Sequence, residues 1–147
     1  MKTFCGIFMA LVLVLGAAGV TAAAPGATTF TAVLSGECAE AESDWRGVAV
    51  FRVADGEVHY KVIANNIDEP LIAGHIHVLP SGGIVQDLNV EAPANADGIV
   101  AEGTFENAAL VAAILADPDD YYVNLHTETC FIPGAVRGPL RVPTSSG

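Results

Sequence analysis

From Pro25 onward the chain runs as short stretches rich in Val, Ile, Thr, Phe and Tyr, broken by Gly, Pro, Asn and Asp. The stretches predict about eight strands: Thr28–Leu34, Gly47–Val53, Glu57–Asn65, Ile72–Leu79, Ile84–Leu88, Gly98–Phe105, Tyr121–Thr127 and Ala135–Val142. Asp55-Gly56 separates the second and third by two residues that both tolerate positive φ, so these strands are expected to form a tight antiparallel hairpin. One segment departs from the pattern. Asn107–Ala116 (NAALVAAILA) joins good helix formers to a capping Asn at its start and Asp117-Pro118 at its end, which predicts one short helix. Ten residues cannot cover a sheet face, so the helix is expected to cross between sheets rather than form a layer. Without helix and strand in alternation a parallel sheet is excluded, and the expected fold is all-β: a Greek-key β-sandwich or flattened barrel.

Upstream, Phe4–Val20 is a near-continuous apolar run, preceded by Lys2 and followed by the small residues Thr21–Ala24. This is the layout of a secretory signal peptide over residues 1–23, with cleavage after Ala22 or Ala23, since a cut after Ala24 would place Pro25 directly behind it. The alternative is an uncleaved anchor, and the run is at the short end of what spans a bilayer. The domain itself is expected over residues 28–142, with a short polar tail at 143–147 that is frayed and disordered.

Composition narrows the partners. At 147 residues, 52% hydrophobic and 16% charged, the chain holds one domain with a core. Six Lys plus Arg against seventeen Asp plus Glu give −11, and loss of Lys2 with the leader makes it −12. A polyanion without a Lys/Arg cluster is repelled by nucleic acid and by anionic membranes, which excludes both as partners of the mature chain. Loss of the leader also removes Cys5 and leaves Cys38 and Cys130 as the only thiols of an exported chain. They are expected to form one disulfide, which in the chain-entropy picture removes about 4.5 kcal/mol of unfolded-state entropy. Two free thiols are the alternative; a thiolate metal site is disfavoured because no CxxC occurs.

Candidate chemistry lies in the histidines. With the period of two of a strand, Ile72, Gly74, Ile76 and Val78 share an apolar face expected to be core, and Ala73, His75, His77 and Leu79 share the other. In the seventh strand Tyr121, Val123 and Leu125 face the core, while Tyr122, Asn124 and His126 face away. An i, i+2 His pair plus a third His from a neighbouring strand is a way to assemble an imidazole site for Cu or Zn. The other reading is that His75, His77 and His126 are outward-facing polar residues bonded to neighbours. His59, alternating with Val58 and Tyr60, reads as solvated. Arg137, flanked by glycines, either pairs with a carboxylate or lines an anion-binding mouth. Trp45 and Arg46 read as an edge or loop anchor, and Asp117, Asp119 and Asp120 as a solvated acidic turn. No GxSxG, HExxH, P-loop or dinucleotide fingerprint occurs.

Three elements in order, FTAVLSGE (30–37), AGHIHVLPSGGIVQDL (73–88) and YYVNLHTETCFIPGAVRGPL (121–140), resemble the CHRD domain, a module described in chordin and common in secreted microbial proteins. The resemblance covers about Phe30–Arg141. It departs from the family where Glu37-Cys38-Ala39-Glu40 replaces a proline-containing stretch and where Cys130 interrupts the loop after His126-Thr127; both departures fit an added disulfide. The resemblance implies an immunoglobulin-like β-barrel. A fainter similarity to Cu/Zn superoxide dismutase would make His75, His77 and His126 copper ligands and Arg137 an attractor of superoxide, although zinc-loop histidines and a fourth copper histidine are missing.

Three functions follow as expectations: a secreted module that binds an extracellular protein or a Cu or Zn ion without turnover; a copper-dependent redox enzyme of dismutase type; and an extracellular metal scavenger. The acidic charge disfavours the enzyme, because steering an anionic substrate needs a strong local positive patch and Arg137 alone is a thin one.

Overall fold

The computed structural model describes residues 28–38, 44–91, 94 and 97–143. The expected signal peptide and residues 144–147 of the tail lie outside them. Eight strands and one helix follow in the order β1 (Thr28–Gly36), β2 (Arg46–Ala54), β3 (Glu57–Asn65), β4 (Leu71–Val78), β5 (Gly83–Leu88), β6 (Ile99–Phe105), α1 (Ala108–Ala116), β7 (Tyr121–Thr127) and β8 (Val136–Arg141), with a 3-10 turn at Pro118–Asp120 before β7. The fold is all-β as expected.

Local chemistry explains the elements. Ala54 pairs with Glu57 across Asp55 (φ 53°) and Gly56 (φ 88°), so the hairpin closes through two residues in the left-handed region, which Asp tolerates and Gly favours. Alternation then sends Phe30, Ala32 and Leu34 of β1, Ala49 and Phe51 of β2, and Val58, Tyr60 and Val62 of β3 into one core. Phe30 stacks on Phe51 at 5.0 Å, and Tyr60 bridges Phe51 and Phe105 at 6.2 and 6.1 Å. Its hydroxyl also accepts a hydrogen bond from the Asn89 amide at 2.8 Å, so the ring is buried and its polar end satisfied. Each fully buried large side chain of this kind contributes about 1.5–3 kcal/mol. At α1, Asn107 Oδ1 accepts from Leu110 N, the cap read from the sequence, and Leu110 and Ile114 are the buried side of the helix.

The strands form one eight-stranded sheet in the order β5-β4-β7-β8-β1-β2-β3-β6. Every neighbouring pair is antiparallel. Its two ends approach: Val90, just after β5, bridges Ala101 of β6. The sheet therefore curls into a nearly closed barrel with Greek-key connections, and α1 carries the chain from edge strand β6 to β7 in the opposite half. Among the described residues no helix is long and apolar enough to cross a membrane.

Two readings of single residues are corrected. Trp45 is not an edge anchor; it is 1% exposed and belongs to the core, just before β2, where its carbonyl accepts from the Gly36 amide at 3.2 Å. Ile72 is 51% exposed rather than core, because the β4–β7 register shifts between Leu71 and Ala73 and Leu71 takes the inward position.

Candidate metal centre

The register of β4 against its neighbours assembles the site. In the β4–β7 pair His75 lies opposite Asn124, His77 opposite Tyr122 and Ala73 opposite His126. Residues directly opposite share a face, so all three histidines stand on the outer face of adjacent strands. Ring centroids are 5.3 Å apart for His75–His77, 5.1 Å for His75–His126 and 5.9 Å for His77–His126. On the other flank the β4–β5 register runs Ile76↔Gln86 then His77↔Ile84, so Val85 is an extra residue, and the bulge leaves Asp87 opposite His75.

Each ring is oriented from behind. His77 Nδ1 donates to the Gly82 carbonyl at 2.9 Å, and His126 Nδ1 donates to the Phe131 carbonyl at 2.7 Å. A carbonyl only accepts, so each Nδ1 carries a proton, and in the neutral ring this leaves the lone pair on Nε2. Gly82, at φ 69°, makes the turn that aims its carbonyl at His77. His75 is held differently: its Nε2 lies 3.5 Å from Asp87 Oδ1, leaving Nδ1 to face inward. Among the described residues the buried imidazole nitrogens without a hydrogen-bond partner are His75 Nδ1, His77 Nε2 and His126 Nε2. A donor nitrogen of each ring lies within 4.8 Å of those of the other two, and this is a group of His, Cys, Asp or Glu donors able to hold an ion among the described residues. An equilateral triangle of that edge puts its corners about 2.8 Å from the centre, against the ~2.0–2.1 Å of a Zn–N bond, so each ring need move inward by less than ~1 Å.

The cluster is not on the exterior, as the sequence suggested. His77 and His126 are 7% and 5% exposed. Tyr122 stacks on His77 at 4.9 Å with the rings 10° apart, and Phe131 packs on His126 at 5.2 Å. Phe131 belongs to the segment 128–134, which folds back over β7 because it is tied at several points. Thr127 Oγ1 accepts from Cys130 N at 3.1 Å, Asn124 Nδ2 donates to the Pro133 carbonyl at 2.7 Å, and the Ala135 amide donates to the Leu125 carbonyl at 2.7 Å. The Thr129 hydroxyl donates to the Glu69 carboxylate. That bond and one from Thr127 hold the Glu69 carboxyl below its usual pKa. The Cys38–Cys130 disulfide, expected from the sequence, fastens the cap to the segment after β1 with Cα atoms 5.8 Å apart.

Burial also sets protonation. The His75 pKa is lowered chiefly by desolvation and then by the nearby His77, with Asp87 acting in the opposite direction. That of His126 is lowered by desolvation, opposed by its bond to Phe131, and lowered further by His75 and His77. Both rings are thereby kept in the neutral form that a metal requires.

The remaining sites fall into place. Arg137 Nη2 is 3.1 Å from Glu37 Oε2, and its guanidinium lies 5.7 Å from the centre of the Tyr122 ring, so it pairs with a carboxylate rather than standing clear. His59 is exposed and faces Glu57 at 3.2 Å. In the acidic turn, Asp119 pairs with Arg141. Asp87 and the two orienting carbonyls were missed in the sequence. The Pro80-Ser81-Gly82-Gly83 turn could have been read as a hairpin, but regular pairing from it puts Gln86 opposite His75, and the bulge at Val85 that substitutes Asp87 has no signal in the sequence.

The family model of the CHRD domain matches residues 30–140. The chain belongs to the CHRD domain family. The match runs from β1 to β8 and takes in all three histidines and both cysteines of the disulfide. No curated protein and no solved structure matches the chain. Membership in the CHRD family suggests a binding module, and the disulfide is a cross-link suited to an oxidising compartment.

Proposed function

We propose that this CHRD domain is an exported binding module that holds one copper or zinc ion on His75, His77 and His126 and carries out no turnover. The observation that carries the reading is the set of three buried, unpartnered ring nitrogens on converging histidines. Buried polar atoms are ordinarily satisfied, and here each ring's second nitrogen is committed to a carbonyl or carboxylate, the arrangement found behind metal-bound imidazoles. A non-catalytic role is favoured over a dismutase because Arg137 is neutralised by Glu37 and the chain is strongly acidic.

The test is elemental analysis of protein purified without a His tag and loaded with copper or zinc. The reading predicts about one ion per chain, lost in the His75→Ala, His77→Ala double variant. Less than about a tenth of an equivalent in the loaded wild type contradicts it.

A further inference from the structure

We infer that the three-imidazole centre selects copper(I) over zinc(II). The inference rests on the reading that the cluster holds an ion, and it turns on coordination number and charge. Imidazole nitrogen is accepted by both metals, so donor type does not discriminate. Zinc takes four ligands, the fourth being water where the protein supplies three. Copper(I) is satisfied by three nitrogens in a plane.

Among the described residues the candidate donors number three, and none is a carboxylate or thiolate. Asp87, the carboxylate facing the cluster, lies 3.5 Å from His75 Nε2 with its side chain 84% exposed, so water screens its charge. Asn124 Oδ1 is also buried without a partner, but its amide is fixed by the Nδ2 bond to Pro133, and the oxygen packs against the Gly134 α-carbon. None of the three free ring nitrogens is exposed to solvent. A zinc ion here would hold its full double charge out of bulk water and would need one enclosed water as its fourth ligand. The desolvation penalty grows with the square of the charge, so it is about four times larger for the dication than for copper(I). The acidic surface attracts a dication only twice as strongly as a monocation, and across salt water that attraction is damped within about 10 Å. The penalty decides.

The experiment uses the tag-free, disulfide-intact protein under anaerobic conditions. Copper(I) is supplied as its bathocuproine complex with ascorbate, zinc(II) in competition with a chromophoric chelator. Expected is 1:1 binding of both, with copper(I) at least about 100-fold tighter, and X-ray absorption showing three nitrogen neighbours and no fourth. His59→Ala, remote and exposed, leaves both affinities unchanged. Zinc bound as tightly as copper(I), or a fourth ligand on copper(I), overturns the selectivity while the ion-binding reading stands. Failure of both metals to bind, or loss of binding in His59→Ala, overturns both.

Discussion

At the scale of single residues, function is decided by which nitrogen of each ring is occupied. A His–carbonyl bond fixes the tautomer, and here it does so for His77 and His126 through Gly82 and Phe131. Gly82→Ala places a side chain at φ 69°, so it is expected to destabilise the fold by about 1 kcal/mol and to weaken metal binding ~10–100-fold by moving the carbonyl. Asp87→Asn, at an exposed position with a long contact, is expected to weaken binding less than ~10-fold. Parallel metal titrations and urea melts check both, and the reverse order of effects would contradict the assignment of roles. The depressed pKa values of His75 and His126 make a separate prediction for the metal-free protein. With the folded pKa below the unfolded ~6.5, the unfolded chain binds more protons as pH falls, so stability is complete above ~6.5 and is lost through the window beneath it. The groups facing these rings are His77 and Asp87, and Asp87 opposes the shift only in part. Urea midpoints between pH 7.5 and 5 should fall steadily; a flat profile would contradict the burial argument.

At the scale of elements, the site is made by register and by a tied loop. Much of this was legible in the sequence: the Asp55-Gly56 hairpin, the capped helix at Asn107, and the period of two that puts His75 and His77 on one face and His126 on the outer face of its strand. What could not be read was long-range. The adjacency of β4 and β7, which differ in position by about fifty residues, depends on the closure of the whole sheet. The bulge that exposed Ile72 depends on its partner strand, and the burial of Trp45 depends on core residues from several strands. The cap over the histidines was invisible because 128–134 has no strand or helix period and Phe131 gives no sign of where it lands. Its covalent tie is testable. Cys38→Ser with Cys130→Ser is expected to cost about 2–5 kcal/mol and to weaken metal binding, because the Phe131 carbonyl sits one residue from the lost bond. In β8, a Cβ at Gly138 would run into the Val33 backbone, so Gly138→Ala is expected to destabilise by more than ~2 kcal/mol and to part β8 from β1. A variant with wild-type stability would show that the two strands are not so closely packed.

At the scale of the whole molecule, a nearly closed acidic barrel carries a largely buried cluster of three imidazoles. A ligand bound only by the folded state stabilises it by mass action, so metal at 100 times its Kd is expected to add about 2.7 kcal/mol and raise Tm by roughly 10 °C. The most direct test of the account is nitrogen NMR of the histidine rings during titration with zinc, a diamagnetic ion. The account predicts that His75 Nδ1, His77 Nε2 and His126 Nε2 shift together and saturate at one ion per chain, while both nitrogens of His59 stay in place. Shifts confined to His59, or spread over rings that do not saturate together, would contradict it.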